Sequence, residues 1–477
     1  MPAPVRVTGG AAWRWALRFG LDPLTATRRA FAAFGPFVVL AEALPFVKGP
    51  RAVLLNVPLV LTAGAAFNRE LLSDPETWRG VSLLPGGPRN SAARRLAQGL
   101  TRTTGQQHAH YRKLVLPPLR RTSVNAMSEK MAQLAAAEVA SWPASQTIDV
   151  WEFPRRILRS FAVELLFGGN SEDGYFIADA VSRLMEGKWG GSAFALRVNL
   201  PFTSYGRIVR DSALLERRLL EWARTKRGKA DDSDVVSIIV NSPDADGNPP
   251  SNATLVGQLP SLFAAAFEAG QSALTWTLLL LAQHPQVAVQ LLDELRNKLG
   301  HTSPALSDAG ELSYLDAVVR ESMRILPPVP FQIRVAQCDT RIFGYPVPRG
   351  TRVILNTFLT NRMPHPYPGG DVFRPERWFT IAPTAFEFPV FSGGPHSCPG
   401  YWFGQAAVKI ALAAILTRYR LVLAPDTRVD YRVQPTMRPL QPVRAVLRPQ
   451  DGAFATTPIS GRIRELVTLP PVTAARL

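Results

Sequence analysis

Phe391-Ser392-Gly393-Gly394-Pro395-His396-Ser397-Cys398-Pro399-Gly400 is the stretch on which the reading of this chain turns. It holds one of only two cysteines among 477 residues, in a loop rich in Gly and Pro. A long apolar helical pattern follows at residues 403–416. A thiolate at Cys398 is a natural ligand for haem iron, and the helix N-terminus that follows favours negative charge on sulfur. Gly394 and Gly400 let backbone come close to a flat macrocycle. The competing reading is a structural cysteine in a tight turn before a helix, since buried free cysteines are usually inert. The companions of the loop choose between the two.

Glu321-Ser322-Met323-Arg324 lies in a helical pattern over residues 312–325. Positions i and i+3 share a face, so carboxylate and guanidinium can pair. Taken alone, E-x-x-R is usually a solvated surface pair. Here Leu326-Pro327-Pro328-Val329-Pro330 follows it, then Phe373-Arg374-Pro375-Glu376-Arg377-Trp378, then the Cys398 loop. That order and spacing, with F-x-x-G-x-x-x-C-x-G in the loop, resemble the K-helix, meander and haem loop of the cytochromes P-450. The resemblance covers roughly residues 31–448 and extends to no particular member.

The resemblance implies a mainly α fold, the P-450 helical domain with a small β-rich region. It implies haem b as cofactor and Cys398 as the axial metal ligand, whose electron donation favours O–O cleavage. Phe391, Gly394 and Gly400 belong to the same cofactor loop. In the family, the counterparts of Glu321, Arg324 and Arg377 form a buried network that fixes this loop and is not catalytic. Bidentate Arg–carboxylate pairing makes such a cluster tolerable inside a protein. Gly105-Gln106-Gln107-His108, with Arg112 one turn on, is similar to the family's C-helix, where such residues hold a haem propionate. Arg334 and His396 are propionate partners by the same resemblance, although a neutral His is the weaker donor. Read singly, each of these is a surface cation. His110 has no counterpart and reads as structural.

Ala265-Ala266-Phe267-Glu268-Ala269-Gly270 falls where the family's I-helix carries Gly, an acid and Thr. The acid is kept as Glu268, Thr is replaced by Ala269, and the usual Gly by Ala266. A lone Glu in so apolar a helix is costly to bury without a function or a partner, so Glu268 and Ala269 are the candidate catalytic positions. The competing reading is a Glu satisfied by a carbonyl or a water. Ala265, Ala266, Phe267, Pro330, Phe331 and Ile333 are expected to line the substrate pocket, with residues 79–105 and 190–206. An apolar lining suits a lipid-like, terpenoid, polyketide or aromatic ligand. The arginines of 79–105 are the exception to it, some of them expected to face solvent or a propionate.

The implied reaction is reductive activation of O₂ and insertion of one oxygen atom into an apolar organic substrate. Electrons would come from a separate acidic donor of ferredoxin type, with Lys113, Arg120, Arg121 and Lys409 as candidate docking residues. The missing Thr leaves open a peroxide-dependent or isomerase-like haem-thiolate enzyme. A non-catalytic haem-binding redox sensor is the alternative of another class.

Composition bounds these readings. With 46% apolar and 19% charged residues the chain can bury a large core. Its length suits two or three domains, yet no linker is visible. The expected organisation is a lead segment 1–30, a single haem-thiolate catalytic domain 31–448, and an extension 449–477 without a match. Two cysteines give no disulfide framework, and an unpaired Cys338 suits a reducing cytosol. A formal net charge of +17 raises the possibility of nucleic acid, but no nucleic-acid motif accompanies it and the basic residues are dispersed. The apolar run at 31–47 is broken by Gly35, Pro36, Glu42 and Pro45, too short for a stable membrane span. No secretory signal precedes it, and the expected location is cytoplasmic. A peripheral membrane contact through the first thirty residues, with Trp13 and Trp15, is a minor alternative.

Period and punctuation predict helices at 125–140, 154–167, 207–225, 287–299 and 312–325, and one from Ser251 to about residue 283 that should bend at Pro260. They predict a strand pair within 51–66 and short strands over 329–355, turning at Gly344 and Arg349-Gly350. The rest of the first sixty residues mixes short apolar runs with turns, 79–105 reads as irregular, and 242–250 as a loop.

Overall fold

The computed structural model describes residues 4–40, 59–82, 86–169, 171–188, 198–228, 234–244, 247–299 and 312–470. Residues 51–58 of the expected strand pair, 190–197 of the expected pocket region and the side chain of Trp13 lie outside the described residues. The chain divides into two units whose segments alternate along the sequence.

The first unit comprises Met1–Val81, Val329–Gly370 and Ile381–Cys398. Its frame is a mixed six-stranded sheet in the order Val5–Val7, Phe37–Leu40, Leu59–Thr62, Arg352–Asn356, Phe331–Ala336, Trp78–Gly80. Runs such as Phe37-Val38-Val39-Leu40 are apolar at every position because both faces are covered. Phe37, Val39, Val60, Val353 and Leu355 pack with Phe67, Leu71 and Leu72 of the helix Ala65–Ser73. Val38, Leu40, Leu61 and Ile354 pack on the other face with Ala12 and Trp15 of the helix Gly9–Leu21 and Ala26 and Ala30 of Pro23–Phe34. The hairpin Thr340–Ile342/Tyr345–Val347 closes through Phe343 and Gly344, at φ 46° and 85°. Two central residues with positive φ are what a two-residue hairpin with the native strand twist requires.

The second unit comprises Ser82–Pro328, Asp371–Thr380 and Pro399–Leu477. It is mainly helical and is built on Asn252–Gln283, against which Glu152–Phe167, Ser313–Ile325 and Tyr401–Arg418 pack. The Ser251 hydroxyl caps the long helix by accepting from the Thr254 amide at 3.2 Å. The helix runs on through Pro260. A three-stranded sheet (Tyr419–Leu423, Arg444–Pro449, Thr147–Asp149) and the hairpin Tyr431–Val433/Met437–Pro439 supply its β portion. Ser272 Oγ and Trp276 Nε1 of the long helix both donate to Met437 O, at 2.5 and 2.9 Å, and so tie the hairpin to it.

Two sequence expectations are corrected. The first forty residues hold two helices where short apolar runs and turns were expected, because Ala12, Trp15, Ala26 and Ala30 bury on the sheet and Asp22, capping Thr25 with Pro23 at N1, starts the second helix. Residues 79–105 are not wholly irregular: Trp78–Gly80 joins the sheet of the first unit, and Ala92–Leu96 of the second is a short helix capped by Ser91. Arg95 of that helix pairs with Glu216 through Nε and Nη2, at 2.5 and 2.6 Å, while its side chain stays 37% exposed.

Candidate active site

The helix Ser313–Ile325 sets Glu321 and Arg324 one turn apart, both with no exposed surface. Arg324 grips the carboxylate with two parallel bonds, Nε to Oε2 and Nη2 to Oε1, each 2.9 Å. Arg377, from the turn Pro375–Phe379, adds Nε to Oε1 at 2.9 Å. The Arg374 amide and the Trp378 indole each donate at 3.0 Å. Five donors thus converge on one carboxylate, and the Nη2 atoms of both arginines also donate to Val372 O at 3.2 Å. Burial pulls the Arg377 pKa below its usual value; Glu321 offsets this in part, while the nearby Arg324 charge adds to it. Alongside, the Tyr314 hydroxyl donates to Glu376 at 2.8 Å, and burial followed by this carboxylate pushes its pKa up. The pattern E-x-x-R with P-E-R locates three members of the node. It misses Trp378, although a buried indole N–H needs an acceptor and Trp378 directly follows Arg377.

In the first unit, the Cys398 loop is held by short local bonds. The Cys398 amide donates to Phe391 O at 2.8 Å, and the Ser397 amide to Gly394 O at 3.0 Å. Gln332 Nε2 donates to Pro389 O at 2.8 Å. Gly394 has φ 65°, and a Cβ there would lie 2.2 Å from Leu72 O, so the close approach that demands glycine is to the chain's own helix end. Cys398 is half-buried, Cys338 exposed, and His396 half-buried in the turn Gly394–His396. Arg334 extends from the strand Phe331–Ala336, where its guanidinium donates to Ile333 O at 3.2 Å and Ser392 Oγ at 3.4 Å. Both acceptors are neutral, and desolvation lowers its pKa to about 10. Pro330 is buried, while Phe331 and Ile333 pack against the cluster around Trp15.

In the second unit, His108 and Arg112 occupy successive turns of Gly105–Leu119, His108 buried and Arg112 half-buried. Gly400 is the N-cap of Tyr401–Arg418. The long helix is buried on nearly every side, yet Leu262, Ala265, Ala266 and Ala269, spaced i, i+3, i+4, i+7, keep exposed surface. Glu268 and Gly270 beside this stripe are half-buried. Phe267 points into the core, its ring 5.2 Å from that of Phe263. Gln271 is buried, with its amide donating to Trp151 O at 3.0 Å. Of the basic residues, Lys113, Arg120 and Arg121 are exposed, whereas Lys409 is mostly buried and paired with Asp316. Among the described residues no cluster of three His, Cys, Asp or Glu side chains is placed to hold a bare metal ion. No described helix is long and apolar enough to cross a membrane.

The order of these elements recurs in known proteins. Cyclooctat-9-en-7-ol 5-monooxygenase of Streptomyces melanosporofaciens is 25% identical over 416 residues, 82% of this chain and 90% of that protein. Pentalenene oxygenase of Streptomyces avermitilis is 26% identical over 360 residues, 72% of this chain and 78% of that protein. The structure of retinoic acid-bound cyanobacterial CYP120A1 superposes with a TM-score of 0.76 at 23% identity, over 94% of this chain and all of that one. The family profile "Cytochrome P450" matches residues 86–447, a span that includes the E-x-x-R helix, the five-donor node and the Cys398 loop. The chain therefore belongs to the cytochrome P450 family, and is an oxidoreductase of the monooxygenase kind whose cofactor is haem iron.

Proposed function

We propose that this enzyme inserts one oxygen atom from O₂ into an apolar, terpenoid-like substrate, using haem b and electrons from a separate acidic redox protein. The observation that carries the reading lies in the first unit. Cys398 and Ser392 share one loop, and Ser392 receives the Arg334 guanidinium, whose acceptors among the described residues are all neutral. A thiolate donor and a desolvated cation awaiting an anion fit the iron and a propionate of haem. When bound, the group supplies reductive activation of O₂.

The remaining roles fall to the chain. Cys398 is the metal ligand, and Glu321, Arg324 and Arg377 hold the backbone that supports it. Arg334, His396, His108 and Arg112 neutralise the propionates. Ala265, Ala266 and Ala269 form the exposed stripe of an otherwise buried helix and suit an apolar substrate surface. Glu268 beside that stripe is the proton donor. Ala269 has no hydroxyl, and Gln271 is committed to Trp151. A proton must therefore travel from Glu268 through water, or a substrate hydroxyl must take the place of the Thr. One relative's name denotes an alcohol substrate, cyclooctat-9-en-7-ol, which has such a hydroxyl.

A peroxide-driven reaction is the second reading, favoured by Ala269. Isotopically labelled O₂ with a ferredoxin system separates the two. One labelled atom in the product of a polycyclic hydrocarbon or alcohol is expected. Turnover with peroxide alone, and none with the reducing system, would replace the first reading by the second.

A further inference from the structure

Residues 450–470, which follow the last strand of the second unit, match no motif, yet they are not loose. Ile459, Ile463, Leu466 and Val467 are buried. The segment is pinned to residues 427–430. The Val429 amide donates to Ser460 O at 2.9 Å, the Ile463 amide to Val429 O at 3.1 Å, and the Arg462 amide to Asp430 Oδ1 at 2.8 Å. Gly461 between them has φ 99°, and a Cβ there would lie 2.5 Å from Val429 O. From this anchor the segment reaches the turn that carries Arg377. Thr468 forms a parallel bridge with Val372, and its amide donates to Asp371 O at 2.8 Å.

Val372 is where this contact acquires meaning. Its carbonyl accepts from both Arg324 and Arg377. Val372 is 44% exposed, so burial does little to fix its position. Two guanidinium groups of like charge share that one neutral acceptor, so displacing it would cost each of them a buried hydrogen bond. The backbone pairing with Thr468 holds the carbonyl from the other side. We propose that residues 459–468 act as a positioning clamp that sets the Val372 carbonyl and thereby locks the Glu321–Arg324–Arg377 node. The effect on the haem thiolate rests in addition on the reading above, in which the node supports the Cys398 loop.

The test compares the haem-loaded full chain with Thr468→Pro, which removes the donating N–H, and Gly461→Ala, which displaces the segment at its anchor. Asp451→Ala, which breaks the exposed pair with Arg420 and leaves the clamp untouched, is the control. The first readout is hydrogen exchange of the Arg374 amide, which donates to Glu321. The second is the CO-difference band of thiolate-ligated haem, and far-UV circular dichroism monitors the fold. With the helical signal intact, exchange at Arg374 should quicken about tenfold in both clamp variants but not in the control. The thiolate band should fall in parallel. Unchanged Arg374 protection in both clamp variants would overturn the clamp. Faster exchange with a full thiolate band would uphold the clamp and overturn the link from node to thiolate.

Discussion

Arg377 Nε sits 2.9 Å from Glu321 Oε1 although 56 residues separate the two in sequence. The pair joins a helix to an irregular turn, and both side chains are almost wholly removed from water. Breaking a buried ion pair by removing one partner typically costs about 3–5 kcal/mol, because the other charge stays behind unpaired. Glu321→Ala and Arg324→Ala should therefore fail to load haem, rather than merely turn over slowly. Haem content and chemical denaturation measure this. A variant that folds, loads haem and retains full activity would refute the network.

The network was half legible in the sequence. E-x-x-R and P-E-R announce its charged members, because their spacing within a helix and a turn is local. The Trp378 indole, the Arg374 amide and the Val372 carbonyl complete it through tertiary contacts that no local period encodes. Long amphipathic or apolar helices, such as Asn252–Gln283, were readable from composition and the Ser251 cap. The helices Gly9–Leu21 and Pro23–Phe34 were not, since their order comes from packing Ala12, Trp15, Ala26 and Ala30 on a sheet whose strands lie far apart in sequence. Phe267 illustrates the limit for the pocket: an apolar residue on a buried helix can face core or substrate, and its ring packs tilted against that of Phe263 in the core.

His284 should make stability sensitive to mild acid. Burial lowers its pKa from 6.5, partly offset by the bond from its ring to Leu280 O. The unfolded chain therefore binds a proton at a pH where the folded chain does not, and stability rises with pH across that window. Full stability is expected above pH 6.5, with a decline as pH falls below it. His284→Asn should flatten that limb in denaturation midpoints measured across pH. An unchanged limb would assign it to other groups.

Glu268→Ala should lower coupled turnover with the reducing system by about 10²–10⁴, the range of general acid catalysis. It should matter much less with peroxide, which arrives already carrying its protons. Ala269→Thr should raise turnover of substrates that lack a polar group near the oxidised carbon. Product yield per electron consumed is the measurement. A silent Glu268→Ala under both regimes would remove this helix from proton delivery.

Lys113, Arg120 and Arg121 are exposed cations, and Lys409 is withdrawn by its pairing with Asp316. If the exposed three receive an acidic electron donor, reduction should slow as salt rises through about 0.1 M, where screening extends over roughly 10 Å. Charge reversal at Lys113 and Arg120 should slow it likewise, and reversal at Lys409 should act on stability instead. Stopped-flow reduction rates indifferent to salt and to charge reversal would place docking elsewhere.

The central claim, thiolate ligation by Cys398, is tested most directly by the absorption spectrum of the reduced protein with CO. The wild type and Cys338→Ser should show the red-shifted band of thiolate-bound haem, and Cys398→Ser should lose it. An unaltered band in Cys398→Ser would contradict the whole account of the site.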